Sequence, residues 1–127
     1  MEPEKLKDIR LTELTKTRDV LVKSKALIHD KANWTQGFYA RDADGQYVSS
    51  IGGRATCWCA EGAIRKVSAD LGFYTSAGQN LNNAAFSRFG LSTPGVNDGN
   101  GHADVMEMFD IAIDSQNSFI AAYGASE

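Results

Sequence analysis

Thr56-Cys57-Trp58-Cys59-Ala60-Glu61-Gly62-Ala63-Ile64 holds both cysteines and one of the two tryptophans of this 127-residue chain. It reads as the opening turns of a buried helix. Thr56 is of the type that caps a helix start, and Gly72 stands where a left-handed glycine would end the helix. Between them Cys59, Ala60, Ala63, Ile64, Val67 and Leu71 lie at helical spacing, with Arg65, Lys66 and Asp70 turned outward. Ala60, Gly62 and Ala63 are small, so a second element can approach this helix closely. A helix with one apolar face requires other elements to cover it, and both flanks of the segment supply them.

Toward the C-terminus, a helix over about 77–89 (Leu81, Ala84, Ala85, Phe89) stops at Gly90, and Pro94-Gly95 reads as a loop. The last helix, about 102–119, places Val105, Met108, Phe109, Ala112, Gln116, Phe119 and Ile120 on one face. Toward the N-terminus, Ile51-Gly52-Gly53-Arg54 reads as a hinge. Before it, Trp34–Arg41 and Gln46–Ser50 flank the turn signal Asp44-Gly45, which predicts a β-hairpin. An isolated two-stranded ribbon is marginal in water, so this one must lie on the helices, anchored by Trp34, Phe38 and Tyr47. A helix over about 17–31 turns Val20, Ser24, Leu27 and Ile28 inward. A weaker amphipathic segment covers 4–14, and the Thr12–Thr17 stretch offers caps between the two. The fold class is α+β, mainly α: four to five packed helices with one β-hairpin. Residues 1–127 read as a single globular domain, with 1–14 as a peripheral N-terminal helix.

Composition excludes several classes. Hydrophobic residues are 43% and charged residues 23%, ordinary values for a packed chain. No apolar run approaches the roughly 20 residues of a bilayer span. Met1-Glu2-Pro3-Glu4-Lys5 is charged with no apolar stretch behind it, unlike a secretory signal. Cysteines spaced C-x-C make a strained disulfide pair, so reduced thiols and a cytoplasmic location are expected. The net charge of −3 argues against nucleic acid as a partner. Residues 1–31 carry eight Lys/Arg against six acids, whereas no Lys or Arg follows Arg88. Two solvated helix faces of opposite sign account for this, although they could also attract each other within one molecule or between two.

Chemistry has few candidates. A cysteine nucleophile requires a thiolate, a base and an orienting group. Cys57 and Cys59 lie in the presumed first helical turn, where exposed N–H groups lower a thiol pKa, and His102 follows Asn97-Asp98, so a Cys–His–Asn/Asp set can be written down. A helix-start dipole disfavours the imidazolium that such a pair needs, and the apolar neighbours of Cys59 favour a packing role. C-x-C with scattered His29 and His102 lacks the spacing of a zinc site, and no metal or other cofactor is expected. Asp98-Gly99-Asn100-Gly101-His102-Ala103-Asp104 starts like a calcium loop, but it has Ala103 where glycine is needed and Phe109 where a bidentate Glu is needed. Gly52-Gly53-Arg54 could meet an anion before a helix, but no phosphate-loop pattern surrounds it, and a hinge is the better reading.

Three segments, Ala32-Asn33-Trp34-Thr35-Gln36-Gly37-Phe38-Tyr39-Ala40-Arg41-Asp42, Cys59-Ala60-Glu61-Gly62-Ala63 and Asn97-Asp98 before the Asp104-Val105 helix start, together resemble a family of small uncharacterised bacterial and phage proteins, a domain of unknown function. The family's pattern is W-T-Q-G-x-Y-A-x-D, C-A-x-G-A and W-N-D-x-x-x-x-T, and the resemblance covers about residues 15–115. It implies one mainly helical domain with a hairpin, and no activity. Cys59 fits the family's cysteine, which leaves Cys57 as the additional one. Val96 replaces a tryptophan, and His102 replaces a threonine, so a catalytic histidine at 102 is not what the pattern implies. The function expected is that of a non-enzymatic accessory protein, encoded by a phage or mobile element, that binds a partner protein or small ligand. Trp34, Phe38, Tyr39, Arg41, Tyr47, Arg54, Asn97 and Asp98 are its candidate recognition residues. The rivals are a cysteine-dependent hydrolase or transferase using Cys57 or Cys59 with His102, and a homodimeric interaction module.

Overall fold

α1 runs unbroken over Pro3–Ile28, where the sequence reading has two helices separated by threonine caps. The threonines do not interrupt it. Thr12 Oγ1 donates 2.8 Å back to the carbonyl of Asp8, and Thr17 is buried in the core. A threonine that bonds one turn back satisfies itself inside a helix. The computed structural model describes residues 3–125; of the first five residues read against a secretory signal, Met1 and Glu2 lie outside them.

After a one-turn 3₁₀ helix at Lys31–Asn33 come the two strands, β1 (Ala40–Arg41) and β2 (Cys57–Trp58). They pair antiparallel in the register Ala40↔Trp58 and Arg41↔Cys57. The fold is thus mainly helical α+β with a small antiparallel hairpin, but the hairpin's second strand is not 46–50. That run returns only one isolated bridge, Arg41↔Tyr47, so β1 is flanked on both edges. Asp42 shapes the turn between β1 and that run. Its nearly buried carboxylate accepts the amides of Asp44 and Gln46 at 3.0 and 2.9 Å, which curls the chain tightly through Gly45 at φ +80°. Ser49–Gly52 then turns the chain away.

β2 occupies residues that the periodicity assigns to the helix, so α2 starts later, at Ala60–Leu71, capped by Cys59 rather than Thr56. Thr56 instead bonds the Arg41 carbonyl. Gly72 ends α2 at φ +78° as expected. α3 (Ala77–Phe89) stops at left-handed Gly90. The expected loop at Pro94-Gly95 is α4, Thr93–Gly99, with Ser92 accepting from the Gly95 amide and Pro94 in the first turn. α5 spans His102–Ala125.

The core is formed by the inward faces of all five helices with Ala40 and Trp58: Val20, Leu21 and Ile28, then Ala63, Leu81, Val96, Val105, Met108 and Phe109, among others. α1 and α5 pack antiparallel, with His102 against Ile28 at one end and Arg18 near Asn117 further along. Lys25 and Asp110 pair across them at 2.6 Å, joining the basic and acidic ends within one molecule. At that exposure the pair contributes about 0–1 kcal/mol. Phe119 is half exposed rather than on the core face. Gln116 already meets Asn80 near the start of α3, and α5 then runs on past α3. Of the expected hairpin anchors, Trp34 packs on the core, but Phe38 and Tyr47 are 41% and 59% exposed; Trp58 does the anchoring.

Candidate functional site

The irregular stretch 34–39 lies between the start of α2 and the last turn of α4, and one side chain holds it there. Asn97 is 2% exposed. Its Oδ1 accepts from the Trp34 indole at 2.8 Å and from the Ala60 amide at 3.0 Å. Its Nδ2 donates to the Thr35 carbonyl at 3.1 Å and to Asp98 Oδ1 at 2.9 Å. Asp98 Oδ1 also takes the Gly37 amide at 2.9 Å, and Gln36 donates to the Asn97 and Asp98 carbonyls. All the hydrogen-bonding capacity of the Asn97 side chain is spent on joining three elements.

Gly62 fixes the second contact. The Tyr39 carbonyl accepts the Cys59 amide and lies where a Cβ on Gly62 would meet it at 2.0 Å. No side chain fits there. The small residues at the start of α2 do admit a close neighbour, and the neighbour is the chain just before β1.

These constraints leave a cleft of about 240 Å³. Gly37, Phe38 and Tyr39 form one wall, Cys59 and Glu61 another, and Thr93, Pro94, Asn97 and Asp98 the third. Behind the first wall the aromatic rings make a ridge. Phe38 stacks on Tyr47 at 4.4 Å and 13°, and Arg65 lies 4.1 Å over the Tyr39 ring with a 3.2 Å hydrogen bond to its hydroxyl.

Cys59 opens into the cleft, and its thiol caps α2 by accepting from the Gly62 amide at 3.3 Å. Burial pushes this thiol above its usual pKa; the Gly62 and Glu61 amides pull the other way, and the charges of Glu61 and Asp98 add to the rise. A cysteine at a helix start is expected to be acidic, but here desolvation wins. Cys57 lies in β2, its thiol 3.9 Å from the Arg41 carbonyl. His102 is engaged elsewhere, with Nε2 at 2.8 Å from the Ile28 carbonyl and its ring edge-on to Trp34. That carbonyl only accepts, so Nε2 carries the proton. Among the described residues, no hydrogen bond joins His102 to either thiol, and no group of three or more His, Cys, Asp and Glu is placed to hold a metal.

Of the candidate recognition residues, the structure brings Phe38, Tyr39, Asn97 and Asp98 to the cleft and Tyr47 to the ridge behind it. Trp34 is part of the staple. Arg41 is tied to Thr35 Oγ1 and to the carbonyls of Gln36 and Gly45, so it knits the turn rather than facing outward. Arg54 stands on the opposite loop, reaching Asp42 at 3.4 Å. The sequence reading passes over Glu61, Thr93 and Pro94. Ser92-Thr93-Pro94 carries the signal that could have found the last two, a cap followed by proline in the first helical turn.

Fold and site define a class: a mainly helical protein in which a buried asparagine near the end of α4 pins an irregular segment to the start of α2 and leaves a cleft beside them. A family model, the family of unknown function DUF6197, matches residues 12–115, and the chain belongs to that family. No curated protein and no solved structure matches it.

Proposed function

We propose that this chain is a cytoplasmic, non-enzymatic accessory protein that binds a partner or a small ligand in the cleft between Phe38–Tyr39, the start of α2 and α4. One observation carries the reading. A concave site lies against an exposed ridge of aromatic rings whose positions are fixed by stacking and by Arg65, not by burial. Rigid aromatics beside a preformed cavity give contact area at little ordering cost. The raised pKa of Cys59 and the engagement of His102 with Ile28 count against a cysteine nucleophile. Free Cys57 and Cys59 are in keeping with a reducing compartment, and no described helix is long and apolar enough to cross a membrane.

The test is a fragment screen by amide NMR on labelled protein. Hits are expected to move the amides of Gly37, Phe38, Glu61, Gly62 and Thr93 together. Hits that cluster elsewhere, or a turnover that Cys59→Ser abolishes while the spectrum stays folded, overturn the proposal.

A further inference from the structure

Two carboxylates face the cleft without a cation among its lining residues. Asp98 spends Oδ1 on the Gly37 amide and on Asn97, and among the described residues no hydrogen bond or ion pair occupies its Oδ2 or the Glu61 carboxylate. Glu61 is half-buried, so its charge is not simply dissolved in solvent. The nearby basic side chain, Arg65, lies over the Tyr39 ring and donates to its hydroxyl, and it is not among the residues that line the cleft. A helix start ordinarily favours an anion, but this one has little left to give. The Ala60 amide is taken by Asn97 and the Gly62 amide by Cys59, while the Ala63 amide bonds the Cys59 carbonyl.

A second observation is independent of these charges. Thr93 lines the cleft and is 2% exposed, yet among the described residues its hydroxyl Oγ1 has no hydrogen-bond partner. A buried hydroxyl left unpaired is destabilising by itself, and such groups are rare in folded proteins. Neighbouring polar groups on α4 show no such deficit, since Ser92 caps Gly95 and Asn97 is fully bonded. A cleft lined by a threonine with an unpaired hydroxyl, two carboxylates and two aromatic side chains is the environment that receives an N–H-rich cation on a short apolar stem.

We infer that the cleft takes an organic cation, a primary ammonium or guanidinium carried on a short alkyl stem, with the head group between Glu61 and Asp98, the Thr93 hydroxyl accepting from it, and the stem against Phe38 and Pro94. This rests on the binding reading above and gives it a ligand class. The same chemistry has two sources, a free amine or the lysine or arginine side chain of a partner protein.

The experiment titrates the intact protein with n-butylammonium and n-butylguanidinium, then with n-butanol and butyrate, following the amides of Gly37, Gly62 and Thr93. The cations are expected to shift these amides saturably and at lower concentration than the alcohol, with butyrate silent. Glu61→Gln should weaken cation binding about tenfold, the worth of one charge-assisted hydrogen bond, and Thr93→Val about fivefold. Both variants keep side-chain size, and their spectra report whether the fold is retained. End-blocked Gly-Lys-Gly separates the sources: tighter binding than n-butylammonium points to a partner's side chain, and weaker binding to a free amine. Equal or tighter binding of butanol or butyrate overturns the ligand class while leaving the cleft as a binding site. So does cation binding that Glu61→Gln does not change. Cations that leave the cleft amides unmoved also overturn the class, and the fragment screen then decides the site separately.

Discussion

Asn97 and Thr93 lie four residues apart on α4, both 2% exposed, and face opposite fates. Asn97 uses all its donors and acceptors to pin Trp34, Thr35, Ala60 and Asp98. The Thr93 hydroxyl, one turn away, pairs with nothing among the described residues. Helical spacing puts both on one face of the helix, so position does not separate them. The difference is what each touches. Asn97 meets backbone groups that would otherwise be orphaned, and folding alone explains it. Thr93 meets the cleft, where folding supplies no partner. One turn of one short helix thus holds a group that building the fold requires beside a group that the fold leaves unused.

The largest test of the first half of that contrast is Gly62→Ala. A Cβ there meets the Tyr39 carbonyl at 2.0 Å, and that carbonyl is held by the Cys59 amide and cannot drift freely. A loss of more than about 3 kcal/mol is expected, at the upper end for overpacking, read as the shift of the urea midpoint. A variant as stable as the parent would show that the 34–39 segment is not clamped to α2. Asn97→Ala follows. It leaves the Trp34 indole and the Ala60 amide without their acceptor, for a loss of about 2–4 kcal/mol in the same assay. Asn97→Asp keeps both acceptor contacts and loses the donations to Thr35 and Asp98, while setting a second negative charge beside Asp98. If the staple holds through its acceptor side, the aspartate stabilises better than the alanine; if alanine is the milder change, charge repulsion outweighs the bonds.

Much of the helical frame is legible because 3.6-residue periodicity and terminal glycines speak locally. Gly72 and Gly90 end their helices as read, and the inward face from Val105 to Gln116 is buried. What local reading misassigns is decided by partners far along the chain. Tyr47 looks like the second strand of the hairpin and does bridge Arg41, but the strand paired with β1 is Cys57-Trp58, from farther along the chain. The tie between Asn97 and Trp34 spans 63 positions, and nothing in either residue's neighbourhood announces it. Arg41 reads as a free recognition residue, yet it is consumed by carbonyls within five positions of it. Polar residues near an irregular turn are often there to satisfy its backbone, and sequence does not say which are left over.

Cys59 sharpens the contrast from the other side of the cleft. Burial holds its thiol neutral, so folding favours the protonated form. Its folded pKa is raised above the unfolded value. The stabilisation is therefore fully present below the unfolded thiol's pKa and is lost as the pH rises through the folded one. Alkylation of Cys59 in folded protein should lag behind a free thiol at pH 8 and catch up only when urea unfolds the chain, by peptide mapping. A fast reaction in the folded state with a midpoint below about 8.5 would instead mark an activated thiolate and reopen the enzymatic reading.

The smallest effect expected is also the one whose sign matters most. Thr93→Val removes the unpartnered hydroxyl and keeps the branched shape. For a hydroxyl engaged in folding, as the polar groups of Asn97 are, this change costs about 1 kcal/mol or more. For a hydroxyl that folding has only desolvated, the loss of the polar atom is neutral or stabilising by up to about 1 kcal/mol. The expected result is the second: an unchanged or raised urea midpoint with no change in slope. A lowered midpoint would mean that Oγ1 has a partner in solution, a water or a shifted carbonyl, and Thr93 would then belong with Asn97 among the groups that build the fold. The two residues would no longer differ, and the cleft would lose the evidence that does not depend on charge.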